Sequence, residues 1–171
     1  SGNGEHHADA GDDVLLGGSG NDTSYGGDGN DMLRGGIGAD FIEGGSGVDS
    51  FYFARGDGQD TLVASAGDTL FFDPGVSATD VTIVKNVDDA ILSIAGGDEV
   101  TLASFAASSN RPDVVFGDGT VWAAQFIYDS VFAIRGTNGN DSITGTNSDD
   151  RVLGLGGNDT LVGLSGVDEL D

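Results

Sequence analysis

A nonapeptide recurs without a break from residue 17 to residue 52: GGSGNDTSY, GGDGNDMLR, GGIGADFIE and GGSGVDSFY. A fixed short period constrains the fold strongly, because one unit is too small to bury a core and must stack on its neighbours. An imperfect copy, ADAGDDVLL, occupies 8–16. RGDGQDTLV (55–63) follows two inserted residues, Phe53 and Ala54, and 63–71 ends in GDTLF, a degenerate copy carrying Asp68. A second block closes the chain with GTNGNDSIT (136–144), GTNSDDRVL (145–153), GLGGNDTLV (154–162) and GLSGVDELD (163–171). There the second glycine becomes Thr or Leu, and Ser148 replaces a glycine.

The template is GGxGxDxUx, with U apolar. Three glycines in six positions favour positive φ and close backbone approach, which predicts a loop. The last three positions predict a short strand whose eighth residue points inward. Those residues are Leu15, Ser24, Leu33, Ile42, Phe51 and Leu62, then Ile143, Val152, Leu161 and Leu170. Ser24 alone is polar, a local weak point in the stack. The apolar position also argues against a disordered linker. Two nonamers return the chain to its starting side, and the coil advances by one strand spacing of about 4.8 Å. Aspartates eighteen residues apart then stack, Asp22 with Asp40 and Asp31 with Asp49.

Charge sharpens the problem. The 171 residues hold 29 acids against 6 bases, a net charge of -23. That balance argues against nucleic acid or an anionic membrane surface as partner and favours cations. There is no cysteine, so disulfides cannot staple the repeats. No apolar run is long enough to span a membrane. Stacked carboxylates about 5 Å apart repel unless a cation lies between them. Carboxylates and backbone carbonyls form an all-oxygen ligand set, which suits calcium.

Between the blocks, over roughly 69–128, the pattern changes to short β-rich runs, TLFF, VTIVK, AILSI, EVTLASF, VVF and TVW. Turn signals at Asn86–Asp89, Gly96–Asp98 and Asp118-Gly119 separate them, predicting a small antiparallel β unit. No segment carries helical periodicity, and 106–113 reads as a loop. Phe41, Phe51, Tyr52 and Phe53 read as packing at the end of the repeats, and Trp122 as core of the middle unit. His6 and His7 read as part of a frayed start.

GGDGNDMLR and GGIGADFIE resemble the RTX (repeats-in-toxin, haemolysin-type) calcium-binding nonapeptides. The middle segment is similar to sequences that follow such repeats, through FYFARGDGQDTL, DTLFFDPGVSATDV, AILSIAGGDEVTL and FGDGTVW. The resemblance implies an all-β chain, with right-handed parallel β-roll blocks flanking the small antiparallel unit. The domains expected are a disordered start (1–7), a first roll (8–63), a capping unit (64–130) and a second roll (131–171). It also implies ions held between loops one coil apart. The first loop gives the carbonyls of positions 2 and 4 and its aspartate. The second gives those of positions 1 and 3 and its own aspartate. One site would use Gly18, Gly20, Asp22, Gly35, Ile37 and Asp40. The next would use Gly27, Gly29, Asp31, Gly44, Ser46 and Asp49. A third would use Asp9, Gly11, Asp13, Gly26, Asp28 and Asp31. A fourth would join Gly36, Gly38 and Asp40 to Arg55, Asp57 and Asp60, with Arg55 departing from the glycine rule. In the second block Thr137, Gly139 and Asp141 would face Gly154, Gly156 and Asp159. Thr146, Ser148 and Asp150 would face Gly163, Ser165 and Asp168.

The function implied is that of a calcium-binding module, not an enzyme, in a larger secreted bacterial protein. It would cross a type I secretion channel unfolded and fold on calcium outside, binding several calcium ions. Two alternatives stay open: the carboxy-terminal part of a secreted enzyme or toxin, and a calcium-rigidified segment of an adhesin or surface-layer protein. The chain ends on a repeat, Gly163–Asp171, which reads as a fragment with a longer parent chain as its partner.

Overall fold

The computed structural model describes residues 2–106, 111–147 and 149–171. It divides into two compact units, Ser1–Ile127 and Tyr128–Asp171. In the first, the repeats supply β1 (Glu5–His7), β2 (Val14–Ser19), β3 (Thr23–Asp28), β4 (Met32–Ile37), β5 (Phe41–Ser46), β6 (Ser50–Phe53), β7 (Gln59–Val63) and β8 (Thr69–Phe72). Then come β9 (Val81–Asn86), β10 (Asp89–Ile94), β11 (Glu99–Leu102), β12 (Asp113–Val115), β13 (Val121–Trp122) and helix α1 (Ala124–Val131), within which the chain passes into the second unit.

Successive strands alternate between two sheets. One is ordered β1-β3-β5-β7-β11-β10-β9 and the other β13-β12-β8-β6-β4-β2. Pairing between repeat strands is parallel and eighteen residues apart through β6, Val14 opposite Met32 and Thr23 opposite Phe41, and twenty or nineteen apart for β5 with β7 and β6 with β8. The coil of two nonamers is therefore the observed unit of a parallel β-roll.

The eighth positions stack inward as expected. Leu15, Leu33, Phe51, Leu70 and Val114 form one register column. His6, Ser24, Ile42, Leu62 and Leu102 form the other. All but His6 are buried. Ser24 is buried with an unpartnered hydroxyl, so it weakens its column as a buried polar atom left without a hydrogen bond does.

Four expectations need correction. Strands reach six residues, not three, because they continue through the glycine pair; Gly18 pairs with Gly36 and Gly27 with Gly45. The carbonyls of Gly18 and Gly20 run so close to Gly36 and Gly38 that any Cβ there would collide. Those two glycines also take φ of 101° and 156°. Glycine thus permits the tight stacking of coils as well as the loop. Second, the start is not disordered over residues 2–7: β1 pairs with β3, and the Thr23 amide donates to the Gly4 carbonyl at 2.9 Å. Residues 2–7 form a degenerate half coil with Gly4 at the aspartate position and His6 at the apolar one. Third, the middle strands are antiparallel only in part. β9-β10-β11 and β12-β13 are antiparallel, but β11 pairs parallel to β7, and β12 to β8. They extend both sheets of the roll and cover edges that would otherwise stay open. Fourth, α1 is helical although its sequence lacks a local cap. The Ala124 amide instead donates to Asp113 Oδ1 at 2.8 Å, and Ile127 is buried.

The second unit holds β14 (Ile134–Arg135), β15 (Ser142–Thr144), β16 (Arg151–Leu153), β17 (Thr160–Val162) and β18 (Glu169–Leu170). β14-β16-β18 form one parallel sheet and β15-β17 another. Val152 is fully buried and pairs in register with Ile134 and Leu170; Ile143 pairs with Leu161.

Candidate metal centre

Each repeat sets its aspartate just after the glycine loop and just before the strand. Parallel stacking turns that position into a ladder. Oδ1 of Asp22 accepts the Gly4 amide at 2.6 Å, and Oδ1 of Asp40 accepts the Asp22 amide at 2.7 Å. In the second column, Oδ1 of Asp31 accepts from Asp13 at 2.9 Å and Oδ1 of Asp49 accepts from Asp31 at 2.9 Å. The ladder survives the Phe53-Ala54 insertion: Asp40 donates to Asp60 at 3.0 Å and Asp49 to Asp68 at 2.8 Å.

The other oxygen decides the chemistry. Asp22, Asp31, Asp40 and Asp49 are at most 3% exposed. Their Oδ2 atoms are buried with no hydrogen-bond partner. A buried ionised carboxylate with an unsatisfied oxygen is costly, and either a proton or a cation must relieve it. Burial pushes the Asp40 and Asp49 carboxyls above the usual range, with Asp22 beside Asp40, and Asp68 and Asp31 beside Asp49, adding to the rise. Asp60 is pushed up to about 7, by burial first and then by Asp40, Asp57 and Asp98.

Carbonyls converge on the same places. Beside Gly17, an added Cβ would lie 2.5 Å from the Gly35 carbonyl and 2.8 Å from Asp22 Oδ2. Beside Gly26 it would meet the Gly44 carbonyl and Asp31 Oδ2. The Ile37 carbonyl accepts the Gly20 amide at 2.8 Å, and Ser46 accepts Gly29 at 2.9 Å. The first two expected ligand sets, Gly18/Gly20/Asp22 with Gly35/Ile37/Asp40 and Gly27/Gly29/Asp31 with Gly44/Ser46/Asp49, therefore lie on adjoining coils in register. Asp9, Gly11 and Asp13 adjoin Gly26, Asp28 and Asp31 in the same way. The Gly11 amide donates to Asp28 at 2.7 Å, although Asp9 is exposed.

The fourth set is altered. The Gly38 amide still donates to the Asp57 carbonyl at 2.7 Å. Arg55, however, turns its side chain away to the Gly75 carbonyl at 2.6 Å and to Asp80 at 2.9 Å. The Asp57 carboxylate accepts the Ala54 amide at 2.8 Å and Arg34 at 3.3 Å. Two arginines thus tie this loop to its neighbours.

In the second unit the ladder is shorter. Asp141 donates to Asp159 Oδ1 at 2.9 Å, and Asp150 to Asp168 Oδ1 at 3.0 Å. Gly154 and Gly163 carbonyls lie beside Gly136 and Gly145. The Gly156 amide donates to the Thr137 carbonyl at 3.2 Å. These aspartates are half-buried rather than buried. Ser148 lies outside the described residues. Among the described residues no three His, Cys, Asp or Glu side chains cluster; the donor set consists of paired carboxylates and carbonyls. An all-oxygen set of this kind fits calcium, and no thiol competes for a softer metal.

Leu155 and Leu164 take the second repeat position with φ of 70° and 76°, where the first unit has glycine. Left-handed backbone is costly for a branched residue, and both side chains are exposed. Leu155→Gly and Leu164→Gly are each expected to stabilise the second unit by about 1 kcal/mol. Thermal unfolding in calcium checks this; a lowered Tm would contradict it.

A second ladder was not foreseen from sequence. Position-five side chains accept the position-five amide of the next coil. Asn3 serves Asn21 at 2.9 Å, Asp12 serves Asn30 at 2.9 Å, and Asn21 serves Ala39 at 3.1 Å. Asn30 serves Val48, Asn140 serves Asn158, and Asp149 serves Val167. Its signal is Asn or Asp at position five; Ala39, Val48 and Val167, which have no side-chain acceptor, only receive the bond.

A family model of the RTX calcium-binding nonapeptide repeat, in four copies, matches residues 7–24, 25–59 and 135–170, more than half of the chain. Among solved structures, the chain is similar to the solution structure of the AlgE6R3 subunit from the Azotobacter vinelandii mannuronan C5-epimerase. The two are 27% identical with a TM-score of 0.51, over 72% of this chain and 80% of that one. No curated protein matches the sequence.

Proposed function

Because the chain belongs to the RTX calcium-binding nonapeptide repeat family, we propose that calcium is its folding switch, and that it serves as a structural, non-catalytic module of a larger secreted bacterial protein. Four buried Oδ2 atoms without partners carry this reading. Without an ion they oppose folding, together with the charge of -23 and the entropy of 31 glycines. With calcium, binding free energy becomes folding free energy. Asp22, Asp31, Asp40 and Asp49 would hold the ions with the loop carbonyls of the adjoining coils.

Extracellular calcium modules respond at about 10⁻⁴–10⁻³ M. A chain tuned to that range stays unfolded inside a bacterium, suits passage through a type I secretion channel, and folds outside. No helix among the described residues is long and apolar enough to cross a membrane. The likeness to a subunit of an epimerase favours a place in a secreted enzyme over the adhesin alternative. Small-angle scattering tests the switch. Calcium, but not magnesium, is expected to reduce the radius of gyration by roughly two-thirds; an unchanged radius would contradict it.

A further inference from the structure

Repeats with Gly and repeats with Thr at the second position treat the same carboxylate oxygen differently. In the first, Oδ2 of Asp22, Asp31, Asp40 and Asp49 has no partner. In the second, Oδ2 of Asp141 accepts the Thr137 amide at 2.7 Å and the Thr137 hydroxyl at 3.0 Å. Oδ2 of Asp150 accepts the Thr146 amide at 2.5 Å and the Thr146 hydroxyl at 2.9 Å. In both units this oxygen sits beside the leading glycine of its own repeat, as at Gly26, Gly136 and Gly145.

The sequence explains the difference. Thr137 and Thr146 stand at the second repeat position, which is Gly18, Gly27 and Gly36 in the first unit. There the second position is held in the sheets, Gly18 against Gly36 and Gly27 against Gly45. In the second unit β14, β15 and β16 stop at Arg135, Thr144 and Leu153, before that position is reached. The amides of Thr137 and Thr146 turn instead onto the aspartate four residues on, and the hydroxyl adds a second bond.

We infer that Thr137 and Thr146 set the calcium threshold of the second unit, by satisfying Asp141 and Asp150 without an ion and making calcium compete with their hydrogen bonds. The inference rests on calcium binding as read above. Hydrogen bonds to a charged carboxylate are the stronger kind, so displacing them raises the calcium needed by about tenfold over the first unit. The chain then has two thresholds rather than one.

A calcium titration of the full chain with two readouts tests this. Trp122 is the single tryptophan and lies in the first unit, where it packs edge-on to Phe116 at 4.7 Å. Its fluorescence reports that unit. The amide resonances of Thr137 and Thr146 report the second. The expected result is a Trp122 transition that completes first, with the amide shifts following at about tenfold higher calcium. Exposure alone would also separate the transitions, so the deciding variant is Thr137→Val with Thr146→Val, which keeps the branched shape and removes both hydroxyls. Its second transition should move down toward the first while Trp122 stays put. Coincident transitions in the parent chain overturn the inference, as does a second transition that stays, rises or never appears in the variant. A Trp122 signal indifferent to calcium would instead overturn calcium-driven folding itself, and this inference with it.

Discussion

Asp31→Ala is expected to raise the calcium needed to fold the first unit by about a hundredfold, the equivalent of about 3 kcal/mol. Asp31 is central to both the ladder and the proposed ion sites. Its Oδ1 accepts the Asp13 amide, its own amide donates to Asp49 Oδ1, and its Oδ2 is buried without a partner. It belongs to two of the proposed ligand sets, one shared with Asp49 and one with Asp13. Alanine removes the ladder bond and one carboxylate from each set. Asp31→Asn separates the two effects, because its amide oxygen can still accept from Asp13 while the charge is lost. A shift of about tenfold is expected for it, since calcium affinity follows the number of charged ligands. Asp88→Ala, at an exposed turn between β9 and β10, should leave the midpoint where it was. Equal midpoints for Asp31→Ala and the parent chain would refute the shared role of Asp31.

Acid should act on this chain in opposite directions with and without calcium. Asp40, Asp49, Asp57 and Asp60 all have carboxyls raised by burial, Asp60 to about 7. Asp57 stays raised even though the Ala54 amide and Arg34 act to lower it. In the unfolded chain these groups titrate near 3.9. The calcium-free fold therefore binds more protons than the unfolded chain. Its stability is greatest below about 4 and is lost as pH rises through about 7, where Asp60 ionises. Calcium needs the ionised form, so its midpoint should rise as pH falls below about 7. Circular dichroism in calcium-depleted buffer should show β structure appearing between about pH 7 and pH 4. A calcium-free chain that stays unfolded at about pH 4, together with a calcium midpoint indifferent to pH, would contradict this account of the buried carboxylates.

The repeat itself made much of the roll legible. The eighth-position column, the eighteen-residue pairing and the stacking of Asp22 on Asp40 all follow from a nine-residue period and the geometry of a strand. What escaped had non-local causes. The glycine pairs read as loop because glycine disfavours strands in isolation, yet Gly18 and Gly27 pair across coils whose approach only glycine permits. Residues 2–7 lost their repeat signature because Gly4 and His6 replace the aspartate and the apolar residue. Helix α1 takes its cap from Asp113, eleven residues before Ala124. β11 joins β7 across some forty residues, with Leu102 opposite Leu62, and no local pattern announces that pairing. In the metal centre, the aspartates were legible from their spacing. The division between buried unpartnered oxygens and threonine-bound ones was not, because it depends on where each strand stops.

The most direct measurement is a calcium titration of the chain followed by far-ultraviolet circular dichroism, with magnesium as the control. If the buried aspartate oxygens need an ion, β signal should be weak without calcium at neutral pH. It should rise cooperatively at about 10⁻⁴–10⁻³ M calcium and stay flat in magnesium. A full β spectrum at neutral pH in the absence of calcium, or no gain by about 10 mM, would contradict calcium-driven folding.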